Sequence, residues 1–228
     1  MFDRYAIYYT PPEGALAEAL ADWLGWDATR GADRQPPVLA GLPRPAAALT
    51  DRPRKYGAHG TLKPPFHLAP GCVADELTGA LDAFAAGRAP VWLDELEVTR
   101  IGRFLALVPR GDTRALADLA AATVQQFDRF RAPPTAEALA RRRKARLSPR
   151  QEANLIRWGY PHVMEDFRFH ITLTGPLRPE EIAPVTEALT RHLAPLVPAP
   201  FAVEALSLLG ADVATGRFHL IRRAPLTG

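Results

Sequence analysis

The sequence predicts an α+β fold in which two copies of a strand–helix–strand–strand unit form two lobes around a central cleft. Three short sequence matches predict this duplication, because they recur in the same order. The matches are His-x-Thr-Leu at His59 and His170, Ala-Pro at Ala89 and Ala199, and Gly-Arg-Phe at Gly102 and Gly216. Their copies lie 111, 110 and 114 residues apart, and a spacing this constant rarely arises by chance.

Two elements and a loop precede the first unit. Aromatic and β-branched residues predict a strand over residues 4–9. Residues 14–26 carry four large apolar side chains at helical spacing, which predicts a helix. The stretch over residues 27–54 contains many proline, glycine and arginine residues and predicts a loop, and loops of this length are often functional.

Each unit is predicted to begin with the strand that carries its His-x-Thr motif. In the first unit the order is strand 59–66, helix 73–86, and strands 89–98 and 102–108. In the second unit it is strand 170–177, helix 179–193, and strands 199–208 and 216–222. We therefore expect one bilobal domain over residues 1–228, with the first unit at about 56–110, a helical insert at about 112–160, and the second unit at about 165–224.

The composition excludes several classes of protein. With 47% hydrophobic and 23% charged residues in 228, the chain has the balance of a soluble globular protein. No apolar run approaches the roughly 20 residues that a membrane span needs, and the first residues, MFDRYAIYYTPP, lack the layout of a signal peptide. The single cysteine, Cys72, excludes an internal disulfide and a zinc-binding thiolate cluster. We expect a cytoplasmic monomer without a membrane segment.

Strand geometry predicts which residues of the motifs share a face, because residues i and i+2 of a strand point the same way. In the first motif, His59 is predicted to point with Thr61 and Lys63, while Leu62 points into the core. If the two lobes pack about a pseudo-two-fold axis, this polar face meets its equivalent from the second motif across one cleft.

The second motif has the same pattern. There His170 is predicted to point with Thr172 and with Arg168, which lies upstream. The predicted cleft then holds two histidines, two hydroxyls and a cation from each lobe. The net charge of +3 suits an anionic ligand but is too small to indicate nucleic acid by itself.

Such a set of groups is suited to cleaving a phosphodiester without a metal. A neutral histidine takes a proton from water, and an imidazolium protonates the leaving alcohol. The hydroxyls and cations bind the non-bridging oxygens and the charge that develops on them. A structural role shared by both copies is the alternative, and metal binding is disfavoured because neither strand carries an acidic ligand or a third histidine.

Three features near the motifs have two interpretations each. Tyr56 and Tyr160 each lie near a motif and beside a glycine, and each either stacks on a base or sugar or fills the rim. The basic run RRRKAR, residues 141–146, is either a solvated helix face or reaches over the cleft to a second phosphate or to RNA. It has no interleaved aromatic residues and so no stacking platform for single-stranded RNA.

The paired motifs, His-Gly-Thr at His59 and His-Ile-Thr at His170, resemble the signature of the two-histidine (2H) phosphoesterase superfamily. The segments RYAIYY, YGAHGTLKPPF, LSPRQ and RWGYPHVMEDFRFHITLTGPL are similar to one branch of it, whose members are named phosphonate-metabolism proteins and are encoded beside carbon–phosphorus lyase genes. The resemblance covers nearly the whole chain. It implies a duplicated α+β fold around a cleft, and metal-independent catalysis by His59, Thr61, His170 and Thr172.

The expected function is hydrolysis of a small cyclic phosphate ester, with no metal and no cofactor. The implied pathway passes through a phosphoribosyl cyclic phosphate, which is a suitable substrate. Substrate-binding residues are expected to be Lys63, Arg168, Tyr56 and Tyr160. The alternatives are an RNA 2′,3′-cyclic phosphodiesterase or ligase-like activity, which the helical insert disfavours, and a non-catalytic nucleotide- or phosphonate-binding protein. The pseudo-symmetry leaves open which histidine is the base.

Overall fold

The predicted strands and helices occur in the predicted order in the computed structural model, which describes residues 1–228, and two short strands and a short helix lie in addition in the stretch predicted as a loop. The strands are β1 (Phe2–Tyr9), β2 (Trp26–Asp27), β3 (Ala32–Asp33), β4 (Gly60–Phe66), β5 (Val91–Leu93), β6 (Glu95–Ile101), β7 (Phe104–Arg110), β8 (Ile171–Thr172), β9 (Phe201–Val203), β10 (Ala205–Asp212) and β11 (Phe218–Pro225). The helices are α1 (Ala15–Leu24), α2 (Ala46–Leu49), α3 (Ala74–Ala86), α4 (Arg114–Gln126), α5 (Ala136–Arg143), α6 (Pro149–Trp158) and α7 (Pro179–Leu193). The predicted α+β class is confirmed.

Seven strands form a central sheet in the order β11-β10-β1-β4-β8-β7-β6, and every neighbouring pair is antiparallel. The motif strands β4 and β8 are neighbours in its middle. On the β4 side lie β1 and the hairpin β10–β11 of the second unit, and on the β8 side lies the hairpin β6–β7 of the first unit. Each half of the sheet thus combines the motif strand of one unit with the closing hairpin of the other.

Two segments predicted as single strands are each divided by one residue. Asp94 separates β5 from β6, and Glu204 separates β9 from β10. The reason is that β5 and β9 pair with each other in a separate two-stranded sheet, with Val91 opposite Val203, before the chain enters the central sheet. Local periodicity does not reveal this change of sheet, since both parts read as extended.

The main hydrophobic core lies on one face of the central sheet. Helices α1, α3, α4 and α7 all contribute to it, and β1 contributes Tyr5, Ile7 and Tyr9. The alternate residues of β1, including Tyr8, belong to a smaller cluster on the opposite face. This opposite face carries the His-x-Thr residues. None of the helices is both long and apolar enough to cross a membrane.

Candidate active site

The register of the two central strands brings both motifs together. Gly60 of β4 lies opposite Ile171 of β8 in an antiparallel pair, and both residues are buried. Because side chains alternate along a strand, the residues on either side of this pair point to the other face. These residues are His59, Thr61, His170 and Thr172, and all four are partly exposed. We call the surface that they form the motif face.

Each histidine is oriented by the carbonyl group two residues before it. Nδ1 of His59 lies 2.9 Å from the carbonyl oxygen of Gly57, and Nδ1 of His170 lies 2.8 Å from that of Arg168. A carbonyl oxygen only accepts, so each Nδ1 carries the proton of the neutral ring. Both histidines therefore present an unprotonated Nε2, the nitrogen able to take or return a proton.

The threonine hydroxyls of the motifs have no hydrogen-bond partner within the protein, and neither residue is buried. Thr174 differs, because its buried hydroxyl accepts a hydrogen bond of 3.0 Å from the backbone N–H of Leu105. Thr61 and Thr172 are thus free to donate to a ligand on the motif face.

Burial lowers the pKa of both motif histidines. For His59 it lowers the pKa from 6.5 to about 4; the hydrogen bond to the Gly57 carbonyl opposes this shift, and a positive charge on His170 adds to it. Burial also lowers the pKa of His170, against the effect of its bond to the Arg168 carbonyl. Both rings are therefore neutral at pH 7 in the free protein, and protonating one disfavours protonating the other.

Aromatic residues enclose the His59 side of the motif face. The ring of Tyr8 stacks on His59 with centroids 4.1 Å apart, and Tyr56 lies 5.6 Å from it. Burial raises the pKa of the Tyr8 phenol well above its usual value, and the neighbouring phenols of Tyr56 and Tyr160 raise it further. The two tyrosines singled out in the sequence thus lie on the same side as His59. Tyr8 was missed, although the strand parity that assigns its neighbours to the core points it to this face.

The segment after α6 brings two ring side chains close to the motif face. Its Tyr160 lies on the His59 side, and a charge on its His162 lowers the pKa of His170. The buried Asn154 holds the segment in place, since its amide nitrogen donates to the carbonyls of Val163 at 3.0 Å and Pro161 at 3.4 Å. No group of three or more His, Cys, Asp or Glu side chains is arranged to hold a metal ion.

A family model matches residues 61–219 of the chain, which include most of both units. The chain belongs to the DUF1045 family. This family is described as a protein of unknown function. The match includes the helical insert with α5 and α6, whereas β1 and most of β11 lie outside it.

Two curated proteins are relatives of this DUF1045 chain, and both are named ribose 1,5-bisphosphate phosphokinase PhnN. The one from Janthinobacterium sp. (strain Marseille) is 38% identical over 99% of this chain and 51% of its own length. The one from Laribacter hongkongensis (strain HLHK9) is 31% identical over 96% of this chain and 51% of its own length. The chain spans about half the length of these relatives.

Solved structures similar to the DUF1045 chain include a phosphoesterase (19% identity, TM-score 0.45, 100% of both chains) and LigT of E. coli in complex with 3′-AMP (20%, 0.44, 100% of both chains). The protein TT0787 of Thermus thermophilus is 15% identical over 99% of this chain and 98% of its own, with a TM-score of 0.46. Similarity at this level carries no inference about activity.

Lys63 does not reach the motif face, so the prediction that it binds substrate is wrong. Its side chain is buried on the helix side of the sheet. There Nζ donates to the carbonyl of Val124 at 3.2 Å and lies 3.5 Å from a carboxylate oxygen of Asp128.

A β-bulge in β4 explains why Lys63 points away from the motif face. Thr61 pairs with Tyr8 of β1, but Lys63 pairs with the next residue back, Ile7, so Leu62 is an extra residue in β4. Two residues of a bulged strand oppose one residue of its partner, and the alternation of faces is interrupted there. Lys63 therefore turns to the core side together with Ile7.

The second unit has the same irregularity. The carbonyl of Leu105 accepts hydrogen bonds from both Leu173 at 2.9 Å and Thr174 at 3.2 Å, so two residues again face one. Thr174 is buried as a result. Arg168 keeps an exposed side chain beside His170 and holds that histidine through its carbonyl. Its role as a cation for substrate stays a prediction.

Replacing Lys63 with methionine is expected to leave activity nearly unchanged and to alter the pH dependence of stability. Burial lowers the pKa of Lys63 from 10.5 to about 8. Between these values the unfolded chain binds a proton that the folded chain has lost, so the free energy of unfolding rises with pH, by about 2 kcal/mol between pH 7.5 and pH 10. Denaturation curves at pH 7.5 and pH 10 measure this rise, which the variant should lack. A large loss of kcat/KM in the variant would instead support the prediction that Lys63 binds substrate.

Proposed function

We propose that this chain is a metal-independent phosphodiesterase that hydrolyses a small cyclic phosphate ester by acid–base catalysis between His59 and His170. The observation that carries the proposal is the motif face itself, where two Nε2 atoms and two unbonded threonine hydroxyls share one side of one strand pair. Hydrolysis of a phosphodiester needs a proton acceptor for water, a proton donor for the leaving alcohol and donors to the non-bridging oxygens. The four motif residues supply all of these.

His59 is the base and His170 the acid in this mechanism. The pKa of His59 is held at about 4, so this ring stays neutral, while the less depressed His170 takes the proton when the two compete. Water attacks phosphorus as His59 removes its proton. The bond from phosphorus to the ring-closing ester oxygen breaks, and His170 protonates that oxygen. Thr61 and Thr172 donate to the non-bridging oxygens.

This assignment predicts a bell-shaped dependence of kcat/KM on pH, with its optimum on the acid side of neutrality. The base must be unprotonated, so activity falls as pH drops through the pKa of His59, about 4. The acid must be protonated, so activity falls as pH rises through the pKa of His170, which lies below its usual 6.5. Titration of the histidine ring protons by NMR tests the assignment. A higher pKa at His59 than at His170 would reverse the roles.

We infer that the substrate is of the phosphoribosyl cyclic phosphate type. The curated relatives support this, because their name refers to a kinase of ribose 1,5-bisphosphate. If a 1,2-cyclic phosphate on ribose 5-phosphate is hydrolysed at the bond to O2, water supplies the new oxygen on phosphorus and O2 receives a proton. The product is ribose 1,5-bisphosphate, the compound that such a kinase takes.

An assay of the purified chain with chelator present tests the proposal. The substrates are phosphoribosyl 1,2-cyclic phosphate, 2′,3′-cyclic nucleotides and RNA that ends in a cyclic phosphate, with ³¹P NMR to identify the bond broken. We expect the fastest turnover on the first, at a rate that chelator does not change. Activity abolished by chelator would contradict metal-independent catalysis. Faster turnover of RNA would favour the RNA 2′,3′-cyclic phosphodiesterase activity. Tight binding without turnover would favour a non-catalytic binding protein.

A further inference from the structure

The three consecutive arginines of α5 have different surroundings. Arg141 is exposed, and Arg143 donates to a carboxylate oxygen of Glu152 at 2.6 and 2.9 Å. Arg142 instead turns inward, where its guanidinium lies 4.4 Å from the centroid of the Tyr160 ring. One residue of the basic run thus reaches the aromatic side of the motif face.

Arg142 is partly buried and has no acidic partner. Burial lowers the pKa of its guanidinium, and the neighbouring phenol of Tyr160 opposes that shift. Two nearby arginines are paired with carboxylates, Arg143 with Glu152 and Arg150 with Asp166 at 2.8 Å. Removing a cation from water without an opposing charge costs free energy, and an anionic ligand would offset that cost.

Phenol groups line the space between Arg142 and His59. The hydroxyl of Tyr8 has no hydrogen-bond partner within the protein, although this residue is only 1% exposed. Its ring is fixed against His59, and Tyr56 is fixed by stacking on Phe218 with centroids 5.1 Å apart. The Tyr8 hydroxyl is therefore a donor without an acceptor, on the same side of the motif face as a guanidinium that contacts the phenol of Tyr160 and has no carboxylate partner.

We propose that Arg142, with the hydroxyls of Tyr8, Tyr56 and Tyr160, forms a second anion subsite that binds a non-reacting phosphate of the substrate. A guanidinium presents a planar pair of donors that matches phosphate, and its contact with the Tyr160 ring holds that plane in place. The substrate class is then a small compound with a cyclic phosphodiester and a separate phosphomonoester. This inference rests on the proposed hydrolysis at His59 and His170.

Kinetics on two substrates test the subsite. Phosphoribosyl 1,2-cyclic phosphate carries both phosphates, and ribose 1,2-cyclic phosphate lacks the one at C5. Arg142→Met should lower kcat/KM for the first by about 10- to 100-fold, mainly through KM, and leave that for the second nearly unchanged. The matched control Arg141→Met removes the same charge from an exposed position of the same helix and should affect neither.

The outcomes separate this proposal from that of the reaction. An equal loss on both substrates would place Arg142 at the reacting phosphate and overturn the second subsite. No loss on either substrate would also overturn the second subsite. If the wild-type chain hydrolyses neither substrate, the proposed reaction fails, and calorimetric titration with ribose 5-phosphate tests the subsite alone. Binding weakened by Arg142→Met and unaffected by Arg141→Met would then support the subsite, and equal binding by all three proteins would overturn it.

Discussion

Replacing either His59 or His170 with alanine is expected to lower kcat/KM on a cyclic phosphate ester by about 10²- to 10⁴-fold, because each removes one proton transfer from the transition state. The loss should fall mainly on kcat, since the threonine hydroxyls still bind the phosphate. The double variant should lose less than the product of the two single losses, because the two rings act as one unit. Steady-state kinetics with matched protein concentrations measure all three.

The pH profiles of the single variants carry further information. His59→Ala should remove the acidic limb of the profile, and His170→Ala the alkaline limb. A suitable control is His67→Ala, since that ring is bonded to the carbonyl of Asp3, away from the motif face. A loss of less than about tenfold in either motif variant would argue against acid–base catalysis.

Replacing Gly60 with alanine is expected to lower the free energy of unfolding by about 1–3 kcal/mol. A methyl group at this position would overlap the ring of Phe169. Gly60 lies between His59 and Thr61, and Phe169 precedes His170, so we expect the shift that relieves this overlap to disturb the motif residues as well. Activity should therefore fall along with stability. Chemical denaturation and kinetics on the same preparations measure the two effects.

Two further variants test whether the loss of stability comes from the overlap with Phe169 or from replacing a glycine as such. Gly79 lies in α3 with no atom near the position of an added methyl group, so Gly79→Ala should be neutral or slightly stabilising. Combining Gly60→Ala with Phe169→Leu should recover part of the lost stability, because the smaller side chain makes room. Wild-type stability of Gly60→Ala alone would refute the close packing of the two motif strands.

The Gly60 contact also shows what a sequence pattern can and cannot predict. The paired motifs and the strand parity of His59 and His170 are local properties, and they sufficed to predict one shared polar face. The difference between Gly60 and Ile171 at equivalent positions depends on a ring from the neighbouring strand, which no local pattern contains. The bulge at Leu62 is likewise set by pairing with β1, and it reversed the predicted direction of Lys63.

Helical periodicity likewise did not predict which arginine of the basic run faces the protein. A short polar helix has no apolar stripe from which to decide which arginine faces the protein. Tertiary contacts distinguish these arginines, since Arg142 lies over the ring of Tyr160 and Arg143 pairs with Glu152. The exchange of hairpins between the units could not be predicted from local patterns either, because the order of strands in a sheet depends on pairings between residues far apart in sequence.

That exchange governs how the catalytic groups come together during folding. Strand β8 finds its neighbours in β4 and β7, both from the first unit, and β1 pairs with β10 near the far end of the chain, with Tyr5 opposite Gly210. Sheets closed by such distant pairings fold slowly, since the entropy of closing a long loop is lost before the contacts form. The catalytic centre therefore cannot form during synthesis until β8 has been made and has paired with β4, because only this pairing places His170 beside His59.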